Sequence, residues 1–250
     1  MPYGGSSVAE AVATRPLLVI GAGGFGRETL EAVRACNLVQ PTWEVVGFLD
    51  DDPALQQRDV DGVPVVGRID DLTRQSAAAA VVTIGNPSDF TSRRRIVERL
   101  GLPPGGWATV VHPAASIPSS ASVGEGTVVL AGVVATTGVE IGAHVAVMPS
   151  VVFTHDDVIG DFATLGSGAR LAGGVTVGEG AYIGAGALIR ERCRIGAWAL
   201  VGMGAGVTGD VPGGEVWAGL PARRIRRVTV LPPGVGSPPQ LHHWPQEARA

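Results

Sequence analysis

The chain contains no lysine, because all 19 of its basic residues are arginine. Lysine forms Schiff bases, anchors pyridoxal phosphate and binds phosphate in Walker-type loops, so the sequence excludes these three kinds of site. The net charge of −4 gives no broad basic surface, and we expect no nucleic-acid partner. No uninterrupted apolar stretch reaches the length of about 18 residues that would predict a membrane span.

Cysteine and aromatic residues are also scarce. The two cysteines, Cys36 and Cys193, lie far apart and form no metal or redox motif, which favours a reducing, cytoplasmic compartment. Aromatic residues make up only 5% of the chain, which has 37 glycines, 18 prolines and 45% hydrophobic residues. An aliphatic core with so many glycines predicts short strands joined by tight turns.

Residues 16–106 show the alternating pattern of an α/β unit, after a small polar leader at residues 1–15. Three apolar runs predict short strands, at residues 17–20, 44–49 and 79–85. One helix is predicted from Arg27 onward and another over residues 88–100. The alternation predicts a small parallel sheet with helices packed around it. The three arginines at residues 93–95 of the second helix are interpreted as a solvated face.

Residues 107–227 carry a six-residue repeat, in which sixteen consecutive positions are apolar without a slip in register. These positions are Ile117, Val123, Val129, Ala135, Ile141, Val147, Phe153, Ile159, Leu165, Leu171, Val177, Ile183, Ile189, Ile195, Val201 and Val207. A six-residue period is typical of a parallel β-helix. Three hexapeptides close one triangular coil, so the repeated side chains should point inward and stack. The Pro-rich segment 228–250 leaves the repeat and is interpreted as a tail.

The two parts together resemble a known family. The repeat and its closing segment, Trp-Ala-Gly-Leu-Pro-Ala-Arg at residues 217–223, look like the left-handed β-helix acyltransferases. The first part resembles one branch, the sialic-acid O-acetyltransferase-like proteins, which includes enzymes that N-acetylate UDP-4-amino-sugars and perosamine nucleotides. The resemblance implies an α/β, Rossmann-like N-terminal domain followed by a left-handed parallel β-helix. It is carried by residues 19–26, 47–51, 84–86, 112–113 and 154–156.

The resemblance also implies an active site. In this family trimers form, acetyl-CoA lies in a cleft between two prisms, and the N-terminal domain presents the acceptor. The histidine that acts as general base in the family matches His155, and Asp156 would orient or polarise its ring. Chemistry requires a base because an amine that attacks a thioester must lose a proton. An imidazole with an ordinary pKa near 6.5 suits that task.

Four further residues are implied as binding residues for acetyl-CoA. Gly173 stands where the family has a backbone N–H donor to the oxyanion, although a corner glycine is the alternative interpretation. Thr164 stands where some relatives carry a second histidine near the thioester. Arg223 and Arg224 are candidates for the CoA phosphates, because guanidinium groups recognise phosphate well. Their alternative role is to cap the end of the prism.

The acceptor is expected at the glycine-rich turn of residues 21–26, which fits G-x-G-x-x-G between a strand and a helix. Its N–H groups would meet a diphosphate at the helix N-terminus, and nearby acids would meet the ribose or base. The candidate acceptor-binding residues are Gly21, Gly23, Gly24, Phe25, Asp50, Asp51 and Asn86. Relatives that bind nucleotide sugars often have histidine at the position of Phe25, which leaves the acceptor open.

The sequence therefore predicts an acetyl-CoA-dependent N-acetyltransferase that acts on an amino-sugar nucleotide by direct transfer. Neither cysteine falls at the predicted centre, which disfavours an acyl-enzyme. The alternatives are O-acylation of a sugar or secondary-metabolite hydroxyl, a zinc-dependent γ-type carbonic anhydrase and a non-catalytic repeat protein. The zinc enzyme needs three imidazoles, and only His144 and His155 lie in the repeat, so no metal is expected. His144 is predicted at a surface or interface, and His112 in a structural role.

Overall fold

The computed structural model describes residues 14–74 and 78–229, so the predicted leader and tail lie almost wholly outside it. Within these ranges the first unit contains five strands, two α-helices and a 3₁₀ helix. In chain order they are β1 (Arg15–Ile20), α1 (Gly24–Val39), β2 (Trp43–Leu49), β3 (Asp59–Val60), β4 (Val63–Gly67), the 3₁₀ helix (Ile69–Arg74), β5 (Ala79–Val82) and α2 (Ser92–Leu100). No helix in the described ranges has the length and apolar character needed to cross a bilayer.

The five strands form a mixed sheet in the order β3-β4-β2-β1-β5. The sequence correctly predicts parallel pairing at its centre, where β1 lies between β2 and β5. The prediction of a parallel sheet is wrong at the edge, where β3 pairs antiparallel with β4. Residues Leu17 to Ile20 of β1 are fully buried, because both faces of a central parallel strand are covered. The carboxyl ends of β1, β2 and β5 meet at one edge of the sheet.

The second unit is a triangular prism of short parallel strands in three sheets, which we call faces 1, 2 and 3. Face 1 contains Val110–Val111, Val128–Val129, Ala146–Val147, Thr164–Leu165, Tyr182–Ile183, Leu200–Val201, Glu215–Ala218 and the antiparallel Arg223–Arg227. Face 2 contains Val134–Ala135, Val152–Phe153, Arg170–Leu171, Leu188–Ile189 and Gly206–Val207. Face 3 contains Ser122–Val123, Glu140–Ile141, Val158–Ile159, Thr176–Val177 and Arg194–Ile195.

Paired strands within a face are 18 residues apart along the chain, as three hexapeptides per coil predict, except in the closing segment of face 1 after Leu200–Val201. Ala146, for example, pairs in parallel with both Val128 and Thr164. The predicted inward positions from Val129 to Val207 are all buried in one apolar core. The two inward positions before them, Ile117 and Val123, are only partly buried, because they lie in the first coil. These observations confirm the predicted parallel β-helix.

The N-terminal unit packs against face 1 of the prism. One apolar cluster joins Leu17 and Val19 of β1 to Val128, Leu130 and Met148 of the prism. We call the corner line between faces 2 and 3 the 2–3 edge. In a triangle this edge is opposite face 1, so the N-terminal unit and the 2–3 edge of one chain lie on opposite sides of the prism.

His144 lies in the seam between the two units, with only 6% of its surface exposed. Its ring stacks on Phe162 with centroids 5.2 Å apart and meets Trp107 edge-on at 5.1 Å. Of the two predicted positions, at a surface or at an interface, the surface position is wrong, because the N-terminal unit covers this corner of the prism. Burial, and secondly the nearby charge of Arg93, lower the pKa of His144 from 6.5 to about 4.

We expect His144 to make the fold sensitive to acid. Its pKa is about 6.5 in the unfolded chain and about 4 in the folded one, so stability is lost as the pH falls through that window. Between pH 7 and pH 5 the loss is about 2 kcal/mol, at about 1.4 kcal/mol per pKa unit. His144→Phe cannot titrate, and its ring matches that of Phe162 one coil on, so this variant should lack the loss.

Urea unfolding of wild type and His144→Phe at the two pH values measures this difference. His155→Gln, which replaces a largely exposed histidine, is the control and should follow the wild type. The same pH dependence in wild type and His144→Phe would contradict the prediction.

Candidate active site

His155 lies on the 2–3 edge, between the strands Val152–Phe153 of face 2 and Val158–Ile159 of face 3. Its side chain is 64% exposed, and its Nδ1 lies 2.9 Å from Oδ2 of Asp156. In the neutral ring this contact fixes the proton on Nδ1, which donates to the carboxylate. Nε2 then carries the lone pair, so His155, oriented by Asp156, can act as a general base towards a molecule on this edge.

Gly173 occupies the next corner of the 2–3 edge, one coil after His155. A Cβ at this position would collide with Nε2 of the His155 ring, so only glycine leaves the ring where it is. The N–H of Gly174 donates to the carbonyl of His155 at 2.8 Å, which ties the two corners together. No acceptor for the N–H of Gly173 is found within residues 14–74 and 78–229. The structure thus brings an imidazole and an unused backbone donor together, and their roles as base and oxyanion donor stay predictions.

The glycine-rich turn follows β1 at the edge where the carboxyl ends of the strands meet. Gly21 has a φ of +100°, and a Cβ there would lie 2.8 Å from Cγ1 of Ile84. Gly23 and Gly24 are exposed, with nothing within 4 Å of an added Cβ, and α1 begins at Gly24. The first N–H groups of a helix have no acceptor within the helix, so those of α1 are available to a ligand, and Phe25 is half-buried in its first turn.

The acids predicted to meet the ribose or base are held by the protein itself. Asp50 accepts hydrogen bonds from the N–H of Ala22 at 2.8 Å and of Asp52 at 2.9 Å. Oδ1 of Asp51 accepts from the N–H of Ile69 at 3.2 Å. The side-chain oxygen of Asn86 accepts from the N–H of the second residue after it, at 2.8 Å. Asp50 thus fixes the shape of the glycine-rich turn, and contact of these side chains with an acceptor stays a prediction.

For Arg93 of α2 the prediction of a solvated face is wrong, because this residue is only 2% exposed. It donates hydrogen bonds to four oxygens, which are the carbonyls of Ile84, Phe162 and Ala163 and the hydroxyl of Thr164. Ile84 borders the glycine-rich turn and the other three belong to the prism, so Arg93 ties the turn to the prism. Burial lowers its pKa to about 10, which leaves it charged at neutral pH.

A pattern in the sequence could have revealed this position. The buried residues of α2 are Arg93, Ile96 and Leu100, which are spaced three and four residues apart on one helix face. Arg93 thus stands in the apolar stripe of the helix. Its neighbours do not, because Arg95 is exposed, and Arg94 pairs with Glu179 at 3.0 Å.

Arg93→Ala is expected to lower the free energy of unfolding by about 3 kcal/mol, because buried carbonyls lose their donors. Arg95→Ala is the matched control from the same helix, since it removes an exposed ion pair worth about 1 kcal/mol or less. Urea unfolding of the three proteins gives the comparison. A loss in Arg93→Ala no larger than that in Arg95→Ala would contradict the role of Arg93 in the seam.

Thr164 is not beside His155 within one chain. It lies on face 1, opposite the 2–3 edge, and its hydroxyl accepts a hydrogen bond from Arg93 at 2.8 Å. It is almost completely buried. Its predicted contact with acetyl-CoA stays a prediction, and within the chain its observed contact is structural.

Two family models match parts of the chain. Residues 16–100 match the PglD N-terminal domain, and residues 158–191 match the bacterial transferase hexapeptide of six repeats. A comparison with curated proteins found no match.

Solved structures of acetyltransferases resemble the chain over most of its length. The acetyltransferase domain of PglB from Neisseria gonorrhoeae, in complex with acetyl coenzyme A, is 31% identical with a TM-score of 0.74, over 85% of this chain and 100% of that one. PerB from Caulobacter crescentus, in complex with CoA and GDP-perosamine, is 32% identical with a TM-score of 0.73, over 86% and 98%. WeeI from Acinetobacter baumannii is 28% identical with a TM-score of 0.71, over 85% and 100%.

The chain belongs to the left-handed β-helix acyltransferases with a PglD-type N-terminal domain. This finding confirms the family resemblance, the fold class and the assignment as an acyltransferase. Among the residues that the structure describes, no three His, Cys, Asp or Glu side chains are grouped so as to hold a metal ion.

In this acyltransferase Arg223 and Arg224 lie on the exposed last strand of face 1. Nε of Arg224 lies 2.9 Å from a carboxylate oxygen of Glu215, and Arg223 donates to the carbonyl of Ala222 at 2.8 Å. Neither residue is on the 2–3 edge. A role for these arginines with the CoA phosphates stays a prediction.

Proposed function

We propose that this acyltransferase moves the acetyl group of acetyl-CoA directly to the amine of an amino-sugar nucleotide. The observation that carries the proposal is that the exposed His155 and the half-buried Gly173 lie at successive corners of the 2–3 edge. Relatives support both substrates, since PglB was solved with acetyl coenzyme A and PerB with CoA and GDP-perosamine.

The chemistry follows from the positions of the two groups. The amine lone pair forms a bond to the thioester carbon while Nε2 of His155 takes the proton that the nitrogen must lose. The N–H of Gly173 donates to the thioester oxygen as negative charge develops on it. The carbon–sulfur bond then breaks, and the departing thiolate of CoA takes the proton from the imidazolium. Asp156 stabilises that imidazolium through its contact with Nδ1.

The glycine-rich turn is the part of the chain that fits a diphosphate. Its exposed glycines let a ligand approach the backbone, and the N-terminus of α1 presents N–H groups and the positive end of a helix dipole. Asp50 holds this turn in shape through Ala22. We infer that the nucleotide of the acceptor is bound here.

The turn and His155 lie on opposite sides of one prism, so a single copy cannot bring the acceptor to its own base. We infer that the site is completed by a second copy, in the homotrimer that the family resemblance implies. Each N-terminal unit would then present the acceptor to the 2–3 edge of a neighbour.

We also infer a cytoplasmic setting, which the two free cysteines, Cys36 and Cys193, fit.

A thiol-release assay with acetyl-CoA tests this function. Candidate acceptors are UDP-, dTDP- and GDP-linked amino-sugars, each paired with the counterpart that carries a hydroxyl in place of the amine. We expect turnover with one amino-sugar nucleotide and none with its hydroxyl counterpart. If only the hydroxyl acceptors are turned over, the reaction is O-acetylation and not N-acetylation. If none of the candidate acceptors is turned over, the proposal is overturned.

A further inference from the structure

The inner wall of the prism holds one acidic residue next to His155, and this residue has no role in the function proposed above. Asp157 has no exposed surface. The residues at the same register position one coil earlier and one coil later are Val139 and Val175, and both are fully buried. A carboxylate in this apolar position is costly unless its oxygens are hydrogen-bonded.

Both oxygens of Asp157 are used by backbone donors on either side of the candidate site. Oδ2 accepts from the N–H of Thr154, just before His155, at 2.9 Å. Oδ1 accepts from the N–H of Val175, just after the Gly173 corner, at 2.8 Å. Burial raises the pKa of Asp157 to about 6, although these two backbone donors oppose the rise.

The bond to Val175 stands in place of one that several other corners make within their own turn. At Ala181, Ala187 and Ala199 the corresponding N–H donates to the carbonyl three residues earlier. At the next corner of the 2–3 edge, Cys193 does the same towards Arg190. The corner of Gly173 lacks that closing bond among the described residues and is held by Asp157 from the coil below.

We propose that Asp157 is a positioning residue that sets the corner of His155 against the corner of Gly173 through its hydrogen bonds to Thr154 and Val175. The proposal rests on the proposed function, because it assigns Asp157 to the same transfer reaction. Asp157 does not touch substrate, since it lies inside the prism. Asp157 sets the distance between the base His155 and the N–H of Gly173 that donates to the oxyanion. A displacement of about 1 Å between such groups can lower the rate about a hundredfold.

The test compares Asp157→Val and Asp157→Asn with Thr127→Val. Valine suits the register position, as Val139 and Val175 show, so Asp157→Val should fold. Asparagine keeps the shape but loses one of the two acceptors. Thr127 is the matched control because it also accepts from a backbone N–H one coil on, that of Val145 at 2.9 Å, at a corner away from the 2–3 edge.

Two readouts are taken for each variant. The first is kcat and KM for both substrates from thiol release. We expect Asp157→Val to lower kcat at least about tenfold with KM for acetyl-CoA changed less than about twofold, and Asp157→Asn to fall between it and wild type. Thr127→Val should keep kcat within about twofold of wild type.

The second readout is amide hydrogen exchange at residues 173–175 without an acceptor, which does not depend on the reaction. We expect at least about tenfold faster exchange there in Asp157→Val and no change in Thr127→Val. Unchanged kcat in Asp157→Val, or unchanged exchange at these amides, would overturn the role of Asp157. If wild type turns over no acceptor, the proposed function fails, and the exchange result alone decides whether Asp157 holds the corner.

Discussion

His155→Ala is expected to lower kcat for an amino-sugar acceptor by at least about a hundredfold, because a positioned general base contributes about 10²–10⁴ in rate. The side chain is largely exposed, and its one hydrogen bond among the described residues is with Asp156, so its removal should leave the fold intact. KM for acetyl-CoA should change little, since the base acts on the acceptor nitrogen and not on the thioester. Thiol release gives both parameters.

The matched control is His112→Ala, at a histidine of the same prism whose ring accepts only a backbone N–H, from Ala114 at 2.9 Å. This variant should keep kcat within about threefold of wild type. Equal activity of wild type and His155→Ala would show that another group takes the proton.

Gly173→Ala is the second change with a large expected effect, a loss of about a hundredfold in kcat. The added methyl group collides with Nε2 of His155, and the exposed imidazole can escape only by leaving its place beside the Gly173 N–H. Stability should change by less than about 1 kcal/mol, because the displaced ring moves into solvent. Gly209→Ala is the control, since nothing lies within 4 Å of a Cβ at that position.

A double-mutant cycle separates this mechanism from a simple distortion of the corner. If Gly173→Ala acts by displacing the base, it should cost little more once His155 is already alanine. Losses that multiply in the double variant would mean that the methyl group harms the site independently of His155. That result would remove the proposed link between the two corners.

The prism and the central pair of the site could be predicted from the sequence because both depend on a fixed period. Six residues make one strand and one corner, and three such units return the chain to the same edge, 18 residues later. His155 and Gly173 are 18 positions apart, so the coil length by itself puts them at neighbouring corners. The family resemblance then gives them roles, which remain to be tested.

The seam between the two units could not be predicted in the same way. The apolar stripe of α2 marks Arg93 as a buried position, but the residues that bury Arg93 and His144 are far away in the chain. No local pattern states which corner of the prism an N-terminal unit will cover. For Asp50, whose contact with an acceptor stays a prediction, the sequence does not show that its oxygens accept from the backbone of Ala22 and Asp52. In these cases the contacts depend on how two separately patterned units meet, or on turn geometry that composition does not specify.

Asp157 could be predicted from the sequence only in part. Its register, shared with Val139 and Val175, predicts an inward side chain, and an acid there conflicts with the apolar pattern. Conflicts of this kind between local pattern and residue type tend to mark functional or strained sites. The sequence therefore points to this residue, but only the two hydrogen bonds show what the carboxylate holds.

The most direct test of the account is a single-turnover experiment with isotopically labelled acetyl-CoA and the amino-sugar nucleotide found in the acceptor assay. The intact mass of the protein and the NMR spectrum of the sugar product show where the label goes. Direct transfer to an amine predicts that all the label is in an amide on the sugar and that the protein is never acetylated. Label on the protein before the acceptor is added, or in an ester on the sugar, would contradict direct transfer to an amine.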